Sequence, residues 1–499
     1  MRGGGLDNAE YPYAARRSAP AVVADSSYSE FLSRQQALWG WLARLTVGAG
    51  LLAIVLAIWL GFIAYRAASQ AIWVREVEQR GYRVAYWHEQ PGQTDPLPSL
   101  LRVSLGSHVW SEVSEVSFSR GWGYRGFGEP ERICLACSNF PRLRSFSIDN
   151  DQFSCELMRN WPSLDRIEEL DLKSARLTDA DLAVIGGMSN LKSLKLHRAK
   201  VTAEGIGYLA KLKRLETLGL YSWEFMGSSG PNAKGFPALK RLEMESSPKI
   251  GDEAIAALGP LPVLEEVIFN RVPVGDRSLA KLIDGGKVRM LIMNESRVTE
   301  ASLKQLGKCS EPFSLHLASA AVTNEGLTAL AGKQIQSLVL DKSAVTDEGL
   351  RSIAEIKGIE YLSLAGTKIT GTGLSYLDRG EPLPRLDLEA AALTPEGVAV
   401  LVNARCTQLD LSRTFVGNRE LLLFAGCRDL GEIRLNETRV TVAGVRAFYR
   451  ARQRSLGSSG TGEPVKVLTD FGHFLSETQA IDPLTELPIQ FGPMDGQSN

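Results

Sequence analysis

Along most of the chain, leucine and its aliphatic relatives return with one period. Aligned on L-x-x-L-x-L, the pattern starts at Leu143, Ile167, Leu191, Leu215, Leu239, Leu264, Val288, Pro312, Ile335, Ile359, Leu383, Cys406 and Leu430. The intervals are 24, 24, 24, 24, 25, 24, 24, 23, 24, 24, 23 and 24 residues. A divergent earlier unit, VSEVSF, begins at Val113. Inside each unit the apolar spacing switches from strand-like to helix-like. In IQSLVLDKSAVTDEGLRSIAEIKG, Ile335 to Gly358, Leu338 and Leu340 alternate with Ser337, Val339 and Asp341. That alternation predicts a short strand with its leucines turned inward. Thr346 is placed to cap a helix, with Asp347 and Glu348 near its positive end. Leu350, Ile353 and Ile356 then fall on one helical face.

The same grammar recurs as LTDADL at Leu177, VTAEGI at Val201, VTNEGL at Val322, ITGTGL at Ile369, LTPEGV at Leu393 and VTVAGV at Val440. Pro395, directly after Thr394, occupies the first helical position, where proline is best tolerated. The bend between strand and helix carries small residues: Ala175, Ala199, Ser296, Ala320, Ser343, Thr367, Ala391, Thr414 and Thr438. Backbone groups or Ser/Thr hydroxyls must therefore close it. The unit after Leu215 reads YSWEFMGSSGPNAKGF and predicts a loop in place of its helix. Arg120 to Arg132 interrupts the first unit.

A second pattern is continuous. From Leu45 to Tyr65 the chain runs LTVGAGLLAIVLAIWLGFIAY, 21 residues without a charge, between Arg44 and Arg66. At 1.5 Å per residue this spans a hydrocarbon core of about 30 Å. Trp39, Trp41, Tyr65 and Trp73 stand near its ends, where interfacial aromatics are favoured. It is too long and too far from the amino terminus for a cleavable signal. The flanking arginines do not settle which side the carboxyl part faces. The expected organisation is a flexible tail over 1–36, a transmembrane helix region over 37–68 and a linker with amino-terminal cap over 69–112. The repeat array then covers 113–452, and a disordered tail 453–499.

Composition narrows the function classes. Of 499 residues, 56 are Lys or Arg and 57 Asp or Glu, so no global field calls for nucleic acid. Six cysteines are too few for a disulfide scaffold, and five histidines leave little material for acid–base or metal chemistry. No phosphate-binding glycine loop, dinucleotide fingerprint, zinc-protease or serine-hydrolase motif is present. Cys134 and Cys137 form a C-x-x-C, a redox pair or half a metal site, but nothing with ligand spacing accompanies it. The plainer reading has both thiols packed inside the first repeat helix. Asn294-Glu295-Ser296 and Asn436-Glu437-Thr438 match glycan acceptor triplets. His197 and His316 point outward five units apart, about 24 Å by strand spacing, so they form no single site. Asp171, Asp387, Asp410 and Glu389 face outward on a solvated sheet. No catalytic residue, cofactor or metal is expected.

The outward strand positions lie two, four and six places after each start. In the central units they include Ile268, Met290, Ile292, His316, Val339 and Tyr361. Arg241, Glu243 and Glu245 flank them on one side, and Asp387, Glu389 and Asp410 on the other. An apolar patch with a charged rim is the expected partner-binding surface.

Periods of 20–29 residues with this motif are the mark of leucine-rich repeats. From Val77 to Arg452 the chain resembles leucine-rich-repeat proteins, particularly a bacterial, membrane-anchored subgroup with 24-residue TDxGL-type units. VEQRGYRVAYWHEQ at Val77 and LPSLLRVSLGSHVWSEVSEVSF at Leu97 are similar to that subgroup's entry segment. The resemblance implies an α/β solenoid of about 13–14 repeats, a curved parallel sheet with outer helices, behind one transmembrane helix. Its implied role is a single-pass scaffold holding a protein or peptide on the concave face. The alternatives are a self-associating structural protein of the cell envelope and, third, a redox protein using Cys134/Cys137.

Overall fold

The computed structural model describes residues 26–80, 82–86, 113–118, 130–162, 164–173, 176–227, 234–306, 313–378, 383–456, 465–475 and 480–481. The tail before Ser26, the capping segment 87–112, the interruption at 119–129, the bend residue Ala175 and the unit start Pro312 lie outside them. Contacts divide the chain into two units, Met1–Ser69 and Gln70–Asn499.

One helix, α1, occupies Ser26–Glu78. It starts ahead of the boundary expected at 37 and continues through the expected linker. Its side chains are described without a gap over 49–62 within the apolar run. There Leu51, Leu52, Ile54, Val55, Leu56, Ile58, Trp59, Leu60 and Phe62 are all exposed, so the apolar surface goes round the helix. Among the described residues, no helix is long and apolar enough to cross a membrane.

The second unit is an α/β solenoid. Among the described residues its main sheet has 18 strands. From Val113–Phe118 to Lys466–Thr469 neighbouring strands run parallel. The stacking register follows the sequence period. Leu194 lies opposite Leu218, Leu218 opposite Leu242, Val267 opposite Leu291, and Leu338 opposite Leu362. These side chains are at most 1 % exposed. Burying each contributes about 2 kcal/mol, but only while the next unit covers it.

The Thr-Asp-x-Gly-Leu motif works between units. Asp179, at the first position of its helix, accepts bonds from the next unit's Thr202 amide (3.0 Å) and hydroxyl (2.7 Å). Asp276 does the same for Thr299, while Asn324 and Asn418 accept from the Thr346 and Thr441 amides and donate their side-chain amides to those hydroxyls. Asp347 serves four donors: the Thr370 amide and hydroxyl and the Gly371 and Gly373 amides. The glycine is required by proximity. A Cβ on Gly444 would stand 1.9 Å from Asn418 Oδ1, and one on Gly397 1.9 Å from the Thr370 carbonyl oxygen. The capping expectation needs correction where the threonine hydroxyl is otherwise engaged, as at Thr323 with Glu300 and Thr370 with Asp347. In the unit used to read the pattern the helix spans Gly349–Ala354, and Thr346 is tied to Asn324 rather than capping it. Thr202 and Thr394 cap as expected, with Pro395 at the helix start.

After each main-sheet strand from Ser193–His197 to Glu432–Arg434 comes a residue in the left-handed region, including Arg271, Glu295, Lys342 and Arg413, with Gly366 at the equivalent place. The bend next to it closes through Thr367, Thr414 and Thr438, whose hydroxyls donate to carbonyls three residues back. Ser296 and Ser343 place buried hydroxyls there with no protein partner. Among the described residues no helix lies between Phe225 and Arg241, the unit expected to carry a loop.

Both ends of the sheet are closed by antiparallel strands. Tyr82–Tyr86 pairs antiparallel with Val113–Phe118, and Val74 and Val77 of α1 are buried beside it with Trp73 packed on the core. Trp73 is therefore part of the solenoid cover rather than an interfacial anchor. At the other end the tail expected to be disordered over 453–499 is ordered at its described residues, 453–456, 465–475 and 480–481. Val442–Leu456 is helical, and Lys466–Thr469, Gly472–Phe474 and Ala480–Ile481 continue the sheet. Val465, Val467 and Phe474 are buried, and the Tyr449 hydroxyl bonds the Val465 and Phe474 carbonyls. The physical reason is the last unit's core, Ile433 and Leu435, which needs a cover.

Candidate functional site on the open sheet face

Register brings four of the six expected partner-binding residues into one row. Ile268 lies opposite Ile292, Ile292 opposite His316, and His316 opposite Val339. Met290 and Tyr361 belong to the adjacent row, separated by Ser314 and Ser337. Five of the six are half-buried. Val339 is buried at 8 % exposure, which corrects its expected place on an exposed patch. Flanked in register by His316 and Ser363, its short side chain is covered between neighbouring strands about 4.8 Å away. His316 Nε2 is 2.9 Å from Ser337 Oγ, and burial pulls its pKa down against the opposing pull of Asp341. The Arg385 guanidinium lies 4.6 Å above the Tyr361 ring.

The flanks differ. Continuing the row, Ser363 meets Asp387, which meets Asp410. Burial, followed by the nearby carboxylates of Asp410, Asp341 and Glu389, pushes Asp387 above the ordinary carboxylate range. A bond from the Glu389 amide only partly offsets this. The row then continues from Asp410 to Arg434, which pairs with Glu432 at 2.9 Å.

At the other end lies a network that reading the residues singly misses. His197 stacks on Tyr221 with centroids 4.5 Å apart, and its Nε2 is 3.5 Å from Asp171 Oδ1. The Tyr221 hydroxyl donates to Glu243, which also accepts from Arg241; Arg241 reaches Glu266 at 2.6 Å. Burial works against charge on Asp171 and Glu243. The nearby His197 and Lys173 outweigh it at Asp171, and hydrogen bonds from Tyr221 and Arg241 outweigh it at Glu243, so both carboxyls lie below their usual range. Asp171 Oδ2 pairs with Lys173 at 3.1 Å, while its Oδ1, facing His197, is buried rather than solvated and has no hydrogen-bond partner among the described residues. The available signal was Gly219, an interior strand glycine. A Cβ there would sit 2.8 Å from the Tyr221 ring. His197 and His316 remain five strands apart, about 24 Å.

Cys134 and Cys137 are buried on the helix Pro130–Cys137, while Leu135 faces out at 56 % exposure. Burial pushes Cys134 up to about 12 and raises Cys137 and Cys155 as well, opposite to what a redox nucleophile requires. All three are free thiols. Among the described residues no group of three or more metal-ligating side chains gathers. Asn294, in the first acceptor triplet, donates to Asn270 and accepts from the Ala318 amide, so its side chain already serves the sheet.

No family model and no curated protein matches the chain. Among solved structures it is similar to an internalin from Listeria monocytogenes, at 16 % identity over 68 % of this chain and 88 % of that one, TM-score 0.39. A structure of the yeast Rad7 and Elc1 complex is similar at 15 % identity over 91 % and 98 %, TM-score 0.39. The plant peptide hormone receptor RGFR1 in complex with RGF2 is similar at 13 % identity over 63 % and 58 %, TM-score 0.32. At such low identity and superposition, the leucine-rich-repeat-like architecture rests on the chain's own period and register.

Proposed function

We propose that the protein is a scaffold for protein–protein recognition that docks a partner segment on its open, concave sheet face. The observation that carries this is the row Ile268–Ile292–His316, which runs on to the acidic pair Asp387 and Asp410 before reaching Arg434. A partner with an apolar anchor followed by a lysine or arginine fits that sequence of surfaces. The face offers positioned contacts and no activated nucleophile, so binding without catalysis is the reading. We further propose a single-pass membrane anchor at Leu45–Tyr65, supported by apolar side chains exposed around α1. We also propose a place in the bacterial membrane-anchored subgroup, supported by the entry segment after Val77.

The test is the double substitution Ile292→Asp and Tyr361→Asp in the full chain. We expect partner capture to be abolished while the melting temperature stays within a few degrees of the parent; unchanged capture sinks the docking face. Concentration-dependent self-association of the parent, lost in the double variant, would favour the envelope-structural alternative. Protease added to intact cells carrying a carboxyl-terminal tag decides the side: digestion places the array outside, survival until lysis places it in the cytoplasm.

A further inference from the structure

A polar cleft of about 420 Å³ opens at the strand entries of four successive units, lined by Arg142, Arg144, Arg166, Glu168, Asn190, Lys192 and Arg214. Five cations face one carboxylate there, in a chain whose net charge is −1. Beyond the cleft the same edge is balanced, Lys240 pairing with Glu216 at 2.8 Å. Inside it, Glu168 is shared by Arg144 at 3.2 Å and Lys192 at 2.6 Å. Arg166 and Arg214 are each held by an uncharged oxygen. Arg166 Nη1 donates to the Pro141 carbonyl at 2.9 Å. Arg214 Nη1 donates to Asn190 Oδ1 at 2.6 Å, and Asn190 is itself anchored to the Asp165 carbonyl. A guanidinium has five donors in a planar fork that matches phosphate, so a single orienting bond leaves most of it available.

Arg166 and Arg214 stand two units apart, about 10 Å by strand spacing. That separation suits two phosphoryl groups of one molecule better than a single oxyanion. The volume is that of a small-molecule site. We propose that this cleft binds a compact ligand bearing two or more phosphate groups, at a place distinct from the open sheet face and independent of what docks there.

The test uses the full chain in neutral detergent at low salt, titrated calorimetrically with inorganic pyrophosphate. Saturable binding is expected, weakened at least tenfold in Arg166→Glu/Arg214→Glu and unchanged in Arg277→Glu, a surface charge outside the cleft. Both cleft arginines are exposed, so melting temperatures should agree. If the reversal lowers the melting temperature, Arg166→Gln/Arg214→Gln is read instead, with the same loss expected. A short-chain bisphosphorylated inositol lipid identifies the source. Displacement of pyrophosphate points to a lipid headgroup, and failure to displace points to a soluble phosphate compound; both keep the site. Absence of saturable binding by the parent, or equal binding by the arginine variants, overturns the proposal.

Discussion

The edge where the helices begin and the open face of the sheet are built from the same units, yet they behave oppositely. Along the edge five units repeat one chemistry: an Asp or Asn accepts from the next unit's threonine, and a glycine lets neighbouring helices approach. Across the sheet face each unit contributes something different, from the Asp171–His197–Tyr221–Glu243 network through Ile268 and Ile292 to Asp387 and Asp410. A position that bonds its own copy in the next unit must stay nearly invariant along the array. A position that faces outward carries no such constraint. Repetition therefore marks what holds the solenoid together, and its breakdown marks what can recognise something else.

The contrast can be broken hardest at Gly397. Alanine there would meet a backbone carbonyl that has no rotamer to yield. The expected loss is about 3 kcal/mol, read by denaturant unfolding. Gly207, in a helix but with nothing within 4 Å of its added Cβ, should tolerate alanine without loss.

Next comes Asp347. Alanine removes the acceptor of four donors and should cost about 2 kcal/mol. Its charge adds a pH signature. Burial opposes ionisation, but bonds from Gly373, Thr370 and Gly371 prevail and hold its folded pKa below the ordinary 3.8; Asp276 is also lowered, by bonds from Ser302 and Thr299. A depressed carboxyl contributes stability above its unfolded pKa and loses it as pH falls through the folded value. Stability should therefore decline below about pH 4. Asp347→Asn should lower neutral-pH stability and flatten part of that decline, because each carboxylate oxygen accepts a backbone amide and an amide nitrogen can replace neither. A steeper acid limb in Asp347→Asn would contradict the ladder.

The smallest expected effect is a gain. Glu295 is exposed and in the left-handed region that Gly366 occupies in its own unit. Glu295→Gly should stabilise by about 0.5 kcal/mol, the relief of a strained backbone less the extra freedom of an unfolded glycine. A drop in melting temperature would show that Glu295 makes contacts worth more than its strain.

The sequence by itself determined the period, the inward leucines and the strand–bend–helix order, because each depends on contacts between a unit and its copy. It also showed the loop after Leu215 and the inward packing of Cys134 and Cys137, which follow from local pattern. The uncharged run Leu45–Tyr65 was equally plain, as an uninterrupted composition. Tertiary structure decided the rest. Lys466–Thr469 and Gly472–Phe474 are too short and mixed to declare themselves, and become strands because Ile433 and Leu435 need a cover. Val339 reads as outward yet is buried, because coverage depends on the strands to either side. The Asp171–Glu243 network and the arginine cleft join residues from successive units, and only stacking at about 4.8 Å brings them within reach of one another.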